Sequence, residues 1–143
     1  MEVLRIFLVD DDHDDQEFFS ESLSKINGNF ELSKYNSGAE LVNEISTKPL
    51  IPDIIFLDLY MPVITGEDCL KALRRNSKFD SVPIVIYSTE YDIDRIAELF
   101  KLGANRYLKK PDSFDSLVAS IKVCLSSLHR NALGGNAIIN VVA

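Results

Sequence analysis

The sequence predicts a doubly wound, flavodoxin-like α/β domain: a five-stranded parallel sheet with helices on both faces. Three observations carry that expectation. Short apolar runs alternate strictly with helix-length segments, five times along the chain. The third run, Ile54-Ile55-Phe56-Leu57-Asp58, is apolar until its last residue. The first, third, fourth and fifth runs each stop at charged or hydroxyl side chains. Strands covered on both sides lose the in-out alternation of a half-exposed sheet, and helix-length crossovers make neighbouring strands parallel. For five such units right-handed connections follow, and the strand order expected is 2-1-3-4-5.

Taken in order, Val3 to Val9 is the first strand, and it runs into Asp10-Asp11-Asp12-His13-Asp14-Asp15. From about Asp14 the pattern turns helical: Phe19, Leu23 and Ile26 form one apolar face, and Asn27 and Gly28 close it. Phe30 to Tyr35 reads as the second strand. Ser37-Gly38-Ala39-Glu40 has capping-box spacing and opens a helix through about Thr47, with Leu41, Val42 and Ile45 inward. Pro49 and Pro52 make the next stretch a loop. Beyond the Asp58 strand, Gly66 to about Asn76 is a helix burying Cys69, Leu70 and Leu73. Val82 to Tyr87 is the fourth strand and ends at Ser88-Thr89-Glu90. A helix from Asp92 is expected to bury Ile93, Ile96, Ala97 and Phe100, with Gly103 as its stop. Arg106 to Lys109 is the fifth strand, followed by Lys110-Pro111. The last helix starts near Ser113 and turns Leu117, Ile121, Cys124, Leu125 and Leu128 inward. Residues 1–131 are thus expected to form one domain. Residues 132–143, with a Gly134-Gly135 break and an apolar β-prone end, form a tail expected either to be disordered or to pair with a sheet edge or a second protomer.

A chain of 143 residues can bury one core without disulfides or metals to hold it. A net charge of −7 and a pI of 4.8 disfavour direct binding to nucleic acid or insertion at an anionic membrane, and favour a metal cation or a basic partner surface. Cys69 and Cys124 lie far apart with no CxxC spacing, and read as core thiols of a reducing compartment. With no long apolar run at the N-terminus or elsewhere, a cytoplasmic location is expected.

The expected strand order sets the first and third strands side by side at the switch point, so Asp10, Asp11 and Asp58 converge beyond the carboxyl ends of the sheet. Three gathered carboxylates raise one another's pKa values unless a cation is present. Mg²⁺ suits them, being a hard ion held by carboxylates, waters and phosphate oxygens. An Asp beside such an ion can act as a nucleophile toward a phosphoryl group. Ser88 and Lys110, ending the fourth and fifth strands, offer a hydroxyl and a cation to its oxygens. Lys109 competes with Lys110 for that place. Asp12, Asp14 and Asp15 need no more than the dipole of the helix they open, and His13 is a polar junction residue rather than a ligand of hard Mg²⁺.

These motifs resemble those of the response-regulator receiver domains of two-component signalling, close to the stand-alone CheY-like type. An acidic pair follows the first strand, Asp then Met61-Pro62 and Gly66 the third, Ser88 the fourth and Lys110-Pro111 the fifth, in order and at fitting spacing from about Val3 to Leu128. The resemblance implies that Asp58 is the phosphoacceptor. It implies that Asp11 binds Mg²⁺ directly, that Asp10 assists, and that the Tyr60 backbone carbonyl completes the protein's share of the metal shell. Ser88 is then the switch hydroxyl, Lys110 its charge partner before a cis peptide to Pro111, and Tyr107 the aromatic whose rotamer follows the switch. Tyr60 and Glu90, two residues beyond Asp58 and Ser88, are expected to set the lifetime of the phosphorylated state. The implied donor is a sensor histidine kinase or a histidine phosphotransfer protein. Output is expected to pass through a protein-binding surface on the fourth and fifth β-α units, with no turnover of an external substrate and with homodimerisation left open.

Other classes fit less well. A receiver fold acting as an interaction module without phosphorylation would not need so complete a site. An Asp-nucleophile, Mg²⁺-dependent phosphohydrolase of the haloacid-dehalogenase type would carry a second Asp at position 60, where Tyr60 stands. A flavin binder would need a donor-rich loop where Asp10-Asp11-Asp12 would repel the cofactor's phosphate.

Overall fold

The computed structural model describes residues 2–141. Its strands are β1 (Leu4–Val9), β2 (Phe30–Tyr35), β3 (Ile54–Asp58), β4 (Ile84–Ser88), β5 (Arg106–Lys109) and β6 (Ala137–Ile139). Its helices are α1 (His13–Ser24), α2 (Gly38–Thr47), α3 (Gly66–Arg75), α4 (Ile93–Lys101) and α5 (Phe114–Arg130), with a short 3-10 turn at Ser77–Phe79. The sheet is parallel throughout, in the order β2-β1-β3-β4-β5-β6. The five-strand expectation is therefore extended by one: the tail supplies β6, with Tyr107 opposite Ile138 and Leu108 opposite Ile139. Val142 and Ala143, the last residues of that tail, lie outside the described residues, as does Met1.

Successive residues of each central strand serve two cores, which explains the unbroken apolar runs. Phe7, Val9, Ile55, Leu57, Ile84 and Ile86 pack with Leu41, Ile45, Leu70, Leu73, Ile96 and Leu99 of α2, α3 and α4. Ile6, Leu8, Phe56, Val85 and Tyr87 pack on the other face with Phe19, Leu23, Leu117, Ile121 and Leu128 of α1 and α5. Cys69 and Cys124 are free and fully buried, one in each core, and burial pushes their thiols up to about 11 and about 12.

Each helix begins with a side chain that satisfies its otherwise unpaired N–H groups. Asp12 accepts from Asp14 and Asp15, Asp92 from Asp94 and Arg95, and Ser113 from Ser116. The box expected at Ser37 is only half formed: Ser37 accepts from the Glu40 N–H, but the Glu40 carboxylate takes the N–H of Asn36, one residue earlier. A complete box occurs instead at α3, between Thr65 and Asp68. The inward face of α4 also departs from expectation. Ile93 and Ala97 are exposed, and the buried stripe is Ile96 and Leu99 with Phe100 partly covered, because the helix meets the sheet along the Ile96-Leu99 row.

Candidate functional site at the carboxyl ends of the strands

β1 and β3 are hydrogen-bonded neighbours, with Val9 opposite Leu57, so Asp10 and Asp58 leave the sheet side by side. One carboxylate oxygen from each of Asp10, Asp11 and Asp58 falls within 4.8 Å of the other two. Asp10 is fully buried, Asp58 nearly so, and Asp11 exposed. Gln16 fixes the turn after β1, donating through Nε2 to the Asp10 carbonyl at 2.6 Å and to Asn36 Oδ1 at 2.9 Å. Gly66 fixes the approach of α3 from the other side: a Cβ there would lie 2.2 Å from the Asp58 carbonyl oxygen, so only glycine fits. Between them, Val63 takes a left-handed backbone (φ 68°) while 96% exposed, a strained conformation for a β-branched residue.

The cation facing the carboxylates belongs to Lys110 rather than Lys109. Its ammonium donates to Asp10 Oδ2 and to Asp15 Oδ2, both at 2.9 Å, and stands 3.6 Å from Asp58 Oδ1 and 4.8 Å from the centre of the Tyr87 ring. From the sequence Asp15 needs no more than the helix dipole; the structure places it on the lysine of the site. The expected cis bond is not formed: the Lys110–Pro111 peptide is trans, as are the others among the described residues, the isomer favoured for X–Pro by about 0.5–1 kcal/mol.

Burial dominates the electrostatics. It raises Asp58 to about 7, with Lys110 pulling the other way and Asp10 and Asp11 adding to the rise. Asp10 is raised for the same first reason, against Lys110 and the Asp12 N–H that binds its Oδ1 at 3.0 Å. Burial disfavours the Lys110 ammonium, but Asp58, Asp10 and Asp15 outweigh that and hold it above its ordinary value. The donor set is all oxygen, with net negative charge, partly open through Asp11; it fits a hard divalent ion and offers nothing to a soft one.

A second group gathers one strand over. Asp58 is opposite Tyr87, so Ser88 ends β4 one residue further along. Ser88 Oγ accepts from the Glu90 N–H at 3.2 Å, and the buried Tyr107 donates its hydroxyl to the Glu90 carbonyl at 2.6 Å. Glu90 thus enters through its backbone. Tyr60 extends into solvent from the loop between β3 and α3, 55% exposed.

An oxygen-lined acidic crevice at the switch point of a doubly wound sheet defines the class: a flavodoxin-like α/β domain with a site competent for a hard cation. The chain belongs to the response regulator receiver domain family, whose model matches residues 6–122. The transcriptional regulatory protein PrrA of Mycobacterium leprae is 38% identical over 123 residues, covering 85% of this chain and 49% of that protein. The CpxR homolog of Haemophilus influenzae is 33% identical over 138 residues, covering 96% and 56%. The chain therefore spans about half the length of these two relatives. Among solved structures, the Vibrio cholerae chemotaxis protein CheY4 matches with a TM-score of 0.71 at 26% identity, over 90% of this chain and 98% of that one. The phosphorylated cyanobacterial phytochrome response regulator RcpA matches with a TM-score of 0.79 over 93% and 98%, at 23% identity, a likeness of fold alone. No helix among the described residues is long and apolar enough to cross a membrane.

Proposed function

We propose that this protein is a phosphoacceptor response regulator, in which Asp58 takes a phosphoryl group from a phosphohistidine of a sensor kinase or phosphotransfer protein. The convergence of Asp10, Asp11, Asp58 and the Lys110 ammonium at one end of the sheet carries the reading. Asp10, Asp11, Asp58 and the Tyr60 backbone carbonyl would hold Mg²⁺, which when bound neutralises charge on the transferring oxygens. The ionised Asp58 oxygen attacks phosphorus, and the P–N bond breaks with its electron pair leaving on the imidazole nitrogen. Lys110 supplies positive charge to one phosphoryl oxygen, and the Ser88 hydroxyl, released from the Glu90 N–H, donates to another.

That exchange gives the switch its lever. Ser88 and Tyr107 share Glu90, so withdrawing Ser88 loosens the β4–α4 loop that holds the Tyr107 hydroxyl. The surface formed by α4, β5 and α5, edged by β6, then changes for a protein partner. Transfer is onto the protein itself, with no external turnover. Acetyl phosphate in place of the donor tests the reading by intact mass. One phosphoryl adduct that requires Mg²⁺ and is lost in Asp58→Asn is expected; no adduct on folded wild type would favour an interaction module that works without phosphorylation.

A further inference from the structure

The Lys110 ammonium has three protons to donate. Two are committed at 2.9 Å, to Asp10 Oδ2 and Asp15 Oδ2, and both partners lie on the β1–α1 side of the crevice. Asp58 Oδ1, at 3.6 Å, is beyond hydrogen-bonding range. Asp10 is buried and tied by the Asp12 N–H, so it stays with the site whatever the lysine does. Asp15 is different. Its side chain is 40% exposed, it stands in the first turn of α1 with its backbone N–H bound by Asp12, and water can take over its carboxylate if the lysine leaves.

We propose that Asp15 is a positioning residue that holds Lys110 on the β1 side of the crevice and so slows phosphoryl transfer onto Asp58. The inference rests on the phosphoacceptor reading and adds a residue that acts on the rate through the lysine. With acetyl phosphate, the Asp58 oxygen forms the new O–P bond while the P–O bond to the acetyl group breaks, and the electron pair leaves on acetate; no proton is transferred. Negative charge on the three spectator oxygens must meet Lys110, and the ammonium can turn toward them only by giving up one of its two present partners. The solvated Asp15 is the cheaper one to release. A half-exposed ion pair of this kind corresponds to about a two- to fivefold change in rate.

The test times Asp58 labelling by acetyl phosphate and Mg²⁺, using intact mass, for wild type, Asp15→Asn, Lys110→Ala and the double variant. Asp15→Asn is expected to label about two to five times faster than wild type. In the Lys110→Ala background the same substitution is expected to change nothing. A second measurement repeats wild type and Asp15→Asn at 1 M salt, where the screening length falls to about 3 Å and general repulsion of an anionic donor is suppressed while a short, partly buried contact is screened much less. The ratio between them is expected to persist. An unchanged or slower Asp15→Asn, an equal acceleration without Lys110, or a ratio that collapses to one in salt would each overturn the proposal. A wild type that never labels at Asp58 would instead remove the phosphoacceptor reading on which it stands.

Discussion

Two buried cations four residues apart are held in opposite ways. Lys110 lies among the carboxylates of Asp10, Asp15 and Asp58. Arg106, 2% exposed, meets no carboxylate among the described residues: its guanidinium donates to Ser127 Oγ and to the backbone carbonyls of Asn105, Ser127, Asn131 and Gly134. Most of those carbonyls belong to the C-terminal end of α5 and the turn before β6, where the helix dipole is negative. Arg106 therefore locks the tail to the sheet through several neutral acceptors at once. Lys110 has acceptors that compete, one of them solvated, and can change partners. One β-strand, β5, thus carries a fixed joint at its first residue and a movable charge just past its last, and only the second suits a switch.

Substitution should separate the two. Lys110→Ala is expected to slow labelling of Asp58 by at least about tenfold, as removal of one preorganised charge contact does, while thermal unfolding shows the fold retained. Arg106→Ala should do the reverse: urea unfolding loses about 2–4 kcal/mol, because the hydrogen bonds of a buried guanidinium are lost at once and a cavity is left, while the labelling rate stays within about twofold. Equal loss of both properties in either variant would merge the two roles.

Acidity bears on the Lys110 side of the contrast, because the carboxylates of the site are shifted. With Asp58 raised to about 7, its carboxylate is protonated below neutrality and must give up that proton before it can hold Mg²⁺, so Mg²⁺ affinity, followed by titration calorimetry, should fall about tenfold per pH unit once below that value. For stability the sign is opposite. The folded protein holds the Asp58 proton where the unfolded chain, near its ordinary 3.8, has lost it. The contribution of Asp58 is therefore present below about 4 and is lost as pH rises toward 7. Asp10, also raised, acts in the same direction. Denaturant titrations of wild type and Asp58→Asn between those limits should show that slope in wild type and a weaker one in the variant.

The smallest expected effect concerns the loop between β3 and α3, beside the site and away from Arg106 in sequence. Val63 holds a left-handed backbone in full solvent, so Val63→Asn should stabilise the protein by about 0.5–1 kcal/mol without altering labelling. A loss of stability would mean that its side chain packs in a way its exposure does not suggest.

Much of this was legible in the sequence for a simple reason. Strands buried on both faces write themselves as apolar runs, and their polar ends therefore stand out. Asp10, Asp11, Asp58, Ser88 and Lys110 were found that way, and the sheet order brought the acidic ones together. What escaped depends on partners distant in the chain. Asp15 resembles any first-turn carboxylate until Lys110, 95 residues on, is seen to bind it. Arg106 reads as a stray charge in a short strand until the end of α5 closes over it. The pattern of α4 was misassigned at Ile93 and Ala97 because a nine-residue helix offers two overlapping apolar rows, and contact with the sheet decides between them. Ala137–Ile139 looked β-prone, but a three-residue segment does not declare which edge it joins.

The most direct test of the central claim is to locate the phosphoryl group. Borohydride reduction of the acetyl phosphate-treated protein converts an acyl phosphate to an alcohol, so an aspartyl phosphate becomes homoserine, which peptide mass mapping can place. Homoserine is expected at position 58, dependent on Mg²⁺ and absent from unphosphorylated protein. Homoserine at position 10 or 11 with Asp58 intact would contradict it.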